Sequence, residues 1–157
     1  MSSLLWNLAL ALAWVAVTGE LTAGNLALGF GIGFVVLFFT APILGTPAYA
    51  RKVIQVLNLA LFFVWELILA NLRVAYEVLT PGYQLRPGVI AIPLDARTDA
   101  EIMLLTTLIT LTPGSFSLDV SADRRVLYLH AMYISDPDQV RRQIKDGFER
   151  RVLEVLR

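Results

Sequence analysis

Three long apolar runs fill the first half of the chain, and shorter, stricter rhythms take over in the second. The runs cover about residues 4–17, 21–40 and 53–79. Crossing a bilayer takes about 20 residues at about 1.5 Å of rise each. The second and third runs meet that length. The first is short and is parted from the second only by Thr18-Gly19-Glu20 and their neighbours. Two readings stand: three short transmembrane helices, or a shallow hairpin of the first two followed by one crossing. The start, MSSLLWNLAL, lacks the basic region of a cleaved signal peptide, so it is expected to be retained.

Beyond Pro81-Gly82 the pattern changes. A strand is expected over 89–94, entered through Arg86-Pro87-Gly88. Thr98 with Glu101 makes a capping box and opens a helix of about three turns. On that helix Thr106, Thr107 and Thr110 gather on a polar side, while Ile102, Leu105 and Ile109 form an apolar one. Only 11 residues separate Glu101 from Pro113, too few for another crossing. Pro113 ends the helix at Thr112, and Gly114 permits a tight turn into a strand. Phe116, Leu118 and Val120 then alternate with Ser115, Ser117 and Asp119, as in a half-exposed strand. Residues 126–134 are apolar on both faces and read as a central strand. Asp136 caps a last helix with Pro137 in its first turn and Gln139 completing a box. Its stripe is Val140, Ile144, Phe148, Val152 and Val155. The expected architecture is a transmembrane helical region over residues 1–80 and a small α+β domain, β-α-β-β-α, over 84–157. A domain of that size has a marginal core and is expected to lean on a neighbour.

Composition sharpens this division. The chain is 57% hydrophobic and 17% charged, against about 45–50% and about 25% for average soluble domains. Residues 1–80 hold only Arg51, Lys52, Arg73, Glu20, Glu66 and Glu77 as charges. Zero net charge gives no reason to expect nucleic acid as a partner. With no cysteine there is no disulfide and no thiolate site. Arg73, Arg86 and Arg97 follow the third run, while Arg51 and Lys52 precede it; three against two favours a cytoplasmic C-terminal domain by a narrow margin.

Candidate chemistry is sparse. The lone His130 sits mid-strand and is expected to be structural. Asp119, Asp123, Asp136 and Asp138 fall at strand ends and caps, where carboxylates serve turns. No catalytic constellation, metal site or cofactor loop is expected. In the third run, Gln55, Arg73 and Glu77 each fall within about 20° of Glu66 on a helix. A carboxylate in hydrocarbon costs about 2.5–3.5 kcal/mol, so Glu66 should face protein or water. It either belongs to an ion route or fixes a helix seam. Arg73 and Glu77, four apart, are able to pair. In the second run Asn25, Gly29 and Gly33 share a face and form a helix-packing stripe, against this chain's own helices or those of a neighbouring protein.

Four blocks in order carry a family resemblance: WELILANLRVAYEVLTP at 65–81, RPGVIAIPLD at 86–95, LITLTPGSFSLDVS at 108–121 and DPDQVRRQIKDGFERRVLEV at 136–155. They resemble the E subunit of Mrp-type (Mnh-type) multisubunit cation/proton antiporters, and the first 50 residues match mainly in character. The resemblance implies a small accessory subunit of a hetero-oligomeric complex in a bacterial or archaeal cell membrane, exchanging Na⁺ for H⁺. It implies other membrane subunits as partners, a cytoplasmic C-terminal domain, and proton machinery held chiefly by larger subunits. Thr112, Pro113 and Gly114 are then expected to form a corner that matters for shape and assembly. The alternative is a membrane-anchored α+β module that binds a soluble partner outside any transporter.

Overall fold

A computed structural model of the chain describes residues 3–44, 47–80, 86–134 and 136–157. The Pro81-Gly82 break and the first two residues of the expected 84–157 domain lie outside those residues. The chain forms two compact units, Met1–Ile54 and Gln55–Arg157.

In the first unit α1 (Ser3–Thr18) and α2 (Ala23–Leu44) form an antiparallel pair. Gly19, at φ +74°, ends α1 in the left-handed conformation that glycine adopts without strain, its N–H donating to the Val15 carbonyl at 2.9 Å. Across the pair, α2 presents its small residues. A Cβ on Gly33 would collide with the buried Asn7 side chain, and one on Gly29 would lie 2.9 Å from Trp14 Cβ. Where the helices meet the turn, Asn25 accepts from the Trp14 indole N–H at 2.9 Å. Its amide donates to the Thr18 hydroxyl at 2.5 Å and the Glu20 carbonyl at 2.8 Å. The Asn25–Gly29–Gly33 stripe therefore faces α1 of the same chain. Close backbone approach supplies van der Waals contact where lipid gives no hydrophobic drive between helices.

The second unit begins inside α3 (Pro47–Leu79), a helix of 33 residues. After it come β1 (Gly88–Pro93), α4 (Asp99–Leu111), β2 (Ser115–Val120) and β3 (Val126–Ala131). The sheet is antiparallel in the order β1-β3-β2, with β3 central. Past Ala131 the chain still pairs on both sides. Met132 N–H donates to the Gly114 carbonyl, Ile134 N–H to the Arg86 carbonyl and Arg86 N–H to the Met132 carbonyl. Thr98 and Glu101 form the capping box of α4 as the spacing predicts.

The last helical stretch runs through α5 (Pro137–Arg142), a π-helical segment Gln143–Glu149, and α6 (Arg150–Leu156). The π turns explain how the stripe at intervals of four stays on the core. On an α-helix each step of four overshoots a turn by about 40°, so the stripe would spiral away. Wider i→i+5 turns make the same step fall short instead, and the two drifts oppose each other. Ile144, Phe148 and Val152 are all buried as a result.

In β2 the first serines, not the large apolar residues, turn inward. Phe116 and Leu118 are about half exposed, and Ser115 and Ser117 turn toward α4. Ser115 Oγ donates to the Ile109 carbonyl at 2.9 Å and Ser117 Oγ to the Thr106 carbonyl at 3.3 Å. Small hydroxyl side chains let the helix backbone come close to the strand, and larger ones would hold it off. A register shift between Ser117 and Asp119 accompanies the change. His130 is half-buried on the same outer face, between Val89 and Phe116.

The tight α1–α2 contact yields a paired test. Gly29→Val should cost about 1–3 kcal/mol through overpacking and deplete the folded chain in membranes. Gly24→Ala, where a Cβ meets nothing within 4 Å, should leave the amount unchanged on quantitative blotting.

Candidate functional site

The sheet's inner face, α4 and the last helical stretch do not close the core of the second unit by themselves. Leu59 of α3 is buried in that core, with Phe62 and Phe63 packed against it. Phe62 sits edge-on to Phe148, with ring centroids 5.1 Å apart. It also fills the space a side chain would take at Gly147, where a Cβ would lie 2.9 Å from the Phe62 ring. The Arg151 guanidinium also lies over this ring, 3.9 Å from its centroid, a favourable cation–π distance. Arg151 is held there by the Asp146 and Gly147 carbonyls, at 3.2 and 2.8 Å.

Further along α3 the polar residues meet the corner after α4. A cleft of about 80 Å³ is lined by Glu66 and Arg73 on one side, Thr112, Pro113 and Gly114 on another, and Tyr133 and Gln143 beyond. Thr112 is buried and extended, as a residue before proline should be. Its hydroxyl donates to the Leu108 carbonyl at 3.0 Å, satisfying one of the orphan carbonyls of the helix end. Gly114 adopts φ +91°, and a Cβ there would press on the Tyr133 ring at 3.1 Å. The corner and the α3 face, about 40 residues apart in sequence, thus line one site.

Within it Gln143 donates to Glu66 across a long 3.4 Å. Arg73 and Glu77 meet through Tyr133: the guanidinium lies 5.6 Å from the ring centroid, and the Tyr133 hydroxyl donates to the Glu77 carboxylate. Burial raises the Tyr133 pKa, and the bond to Glu77 pushes it the same way. The hydroxyl therefore stays protonated and remains a donor. Gln55 stands outside this cleft; it is half-buried, and its side-chain oxygen has no hydrogen-bond partner among the described residues. Tyr133 has no sequence signal, since it lies 56 residues from Glu77 and outside every helical pattern.

A second polar cluster fixes the other end of the domain. Glu149 is 1% exposed, and one carboxylate oxygen accepts the Asp95 and Ala96 N–H groups at 2.6 and 2.9 Å. The other pairs with Lys145 at 2.8 Å, and Lys145 also reaches Asp95 at 2.7 Å. Glu101, likewise buried, takes Arg157 at 2.8 Å and the Arg97 and Thr98 N–H groups. The bond from Arg157 and those backbone donors hold its carboxyl down at about 2. The Thr98–Glu101 capping box and the Glu149–Lys145 spacing of four are the parts of this cluster that the sequence signals.

Because Glu101 is more acidic folded than unfolded, its stabilisation is complete above the ordinary value near 4.5 and is lost as pH falls toward about 2. Denaturant midpoints at pH 7 and pH 3 should differ more in the natural chain than in Glu101→Gln. At the corner, Gly114→Val should lower the melting temperature through φ strain and the Tyr133 contact. Tyr133→Phe should lower it less, through loss of the bond to Glu77.

Comparison with known proteins adds the following. A family model described as Na⁺/H⁺ ion antiporter subunit matches residues 7–155. The E subunit of the Na⁺/H⁺ antiporter of Alkalihalophilus pseudofirmus is 38% identical over 154 residues, covering 98% of each chain. Its counterpart in Bacillus subtilis is 37% identical over 154 residues, again with 98% of each covered. Among solved structures, a chain of the Mrp complex from a Dietzia species is similar at 28% identity and a TM-score of 0.50. That similarity covers 62% of this chain and 92% of the other.

Proposed function

Because this chain belongs to the family of Na⁺/H⁺ antiporter E subunits, we propose that it serves the complex by organising assembly, with the Glu66 cleft tying its α3 helix to its C-terminal domain. It is a membrane subunit of a cation/proton antiporter, a transporter component and not a catalytic enzyme. Its partners are the other membrane subunits, and Na⁺ and H⁺ are the ions the complex exchanges.

The observation that carries the assembly role is the convergence of Glu66, Arg73 and Glu77 with Thr112, Pro113 and Gly114 on one cleft. Of the residues that could have lined an ion route, Glu66, Arg73 and Glu77 are engaged with the domain, while Gln55 stands outside the cleft. Glu66 has an amide partner in Gln143 and a protein wall around it, which relieves the cost a carboxylate meets in hydrocarbon. The same reading makes the Asn25–Gly29–Gly33 stripe a packing face, places the C-terminal domain in the cytoplasm and divides the chain between residues 80 and 84. Concentration of charge beyond residue 80 supports that division.

Substitution at Glu66 separates a seam from a route. Glu66→Gln should keep most Na⁺-dependent proton flux, because an amide still hydrogen-bonds to Gln143, while Glu66→Leu should reduce the assembled complex. Lost flux with intact assembly in Glu66→Gln would make Glu66 a proton carrier. Deleting the chain in cells without other major antiporters should abolish both assembly and flux, and survival of both would refute the proposal.

A further inference from the structure

The two sides of α3 have different company. From residue 59 to residue 77 one side is covered by the domain, through Leu59, Phe62, Glu66, Ala70, Arg73 and Glu77. The opposite side carries Leu57, Leu61, Trp65, Ile68, Leu72 and Tyr76, spaced by three and four, which fall within about 60° of Leu61 on a helix. All six are exposed, Leu61 at 71% and Tyr76 at 68%. No charged residue interrupts the stripe, which runs for about 28 Å.

That arrangement conflicts with a bilayer crossing. The domain brings the Arg151 guanidinium and the Gln143 amide to the same stretch of helix. A guanidinium at bilayer centre costs about 2.5–3.5 kcal/mol even on the mildest scale. Of α3, only residues 47–58 precede the covered part, about 18 Å of helix against a hydrocarbon core of about 30 Å. The apolar content of α3 is divided between a face packed on the domain and the exposed stripe opposite.

We propose that α3 lies along the bilayer surface, its Leu57–Tyr76 stripe sunk into lipid and its domain-bearing side in the cytoplasm, instead of crossing. Lipid fits this stripe better than a protein helix on two grounds. Trp65 and Tyr76 are the aromatic types that favour the interface. Basic residues also fall into place: a crossing would set Arg51 and Lys52 opposite Arg73, Arg86 and Arg97, whereas a helix in the plane puts all five on one side. That is the stronger form of the positive-inside bias. The inference rests on the proposed function only for the cytoplasmic side, and its readout is independent of transport.

The chain has no cysteine, so single cysteines can be introduced at Arg51, at Thr80 and, as a reference in the domain, at Asp138. The assembled complex is labelled with a membrane-impermeant maleimide in right-side-out and in inside-out vesicles. All three positions should label from the same face, that of Asp138→Cys. Labelling of Arg51→Cys and Thr80→Cys from opposite faces would establish a crossing and overturn the proposal. A nitroxide at Leu61→Cys distinguishes lipid from protein: strong relaxation by oxygen, at a depth near the headgroups, is expected. A label shielded from oxygen would mean that a neighbouring subunit covers the stripe, and the lipid assignment would fall. Reduced flux in any variant bears on the proposed function and not on this topology.

Discussion

The ring of Phe62 occupies a site that the C-terminal domain leaves open for it. Gly147 offers no side chain, the Phe148 ring meets the Phe62 ring at a steep angle, and the Arg151 guanidinium lies over it. Gly147 and Phe148 both belong to the π turns at Gln143–Glu149. A domain of about 70 residues has little core of its own. Here α3 supplies the missing wall, so helix and domain form one structural unit although composition divides them near residue 80. The same contact draws α3 alongside the domain and thereby creates the cleft further along.

Buried charge holds the other end of the last helical stretch. Glu149 receives two backbone N–H groups from the segment leaving β1, and Lys145 neutralises it. Glu101 does the same work for the start of α4 while holding Arg157. An unpaired carboxylate would be costly at such burial. With donors converging on both, these groups fix the angle at which the helical stretch crosses the sheet. Phe148 is then presented to Phe62 from a rigid base.

Much of the second unit was legible in its residues because its signals are local. Thr98 with Glu101, Asp136 with Pro137, and the break at Pro113-Gly114 act within a few positions, and all appear where the spacing puts them. The central place of β3 followed from its apolar character on both faces, although only one of those faces is covered by helices. What could not be read depends on contacts between distant segments. Alternation in β2 shows that two faces differ, but it does not say which faces α4, and the serines' value as close-approach residues appears only with the helix in place. The π segment leaves a trace, a stripe with steps of four, that an ordinary helix with a drifting stripe would share. In the cleft, Glu66, Arg73 and Glu77 were visible through helical period, whereas Tyr133 was not, because nothing near it in sequence points to Glu77.

An intramembrane carboxylate is a good reason to suspect ion movement, but the suspicion rests on the assumption that the residue lies in lipid or in a pore. In this chain Glu66 lies against an amide, a proline corner and the wall of a folded domain. Its energetic difficulty is met locally, so its presence alone no longer requires a route. The burden shifts to whether Glu66 exchanges protons with anything, and its neighbours Arg73 and Glu77 are already committed to Tyr133. A chain of carriers needs groups free to change partners. On the polar face of α3, Arg73 and Glu77 are instead held against Tyr133, joining the helix to the C-terminal domain.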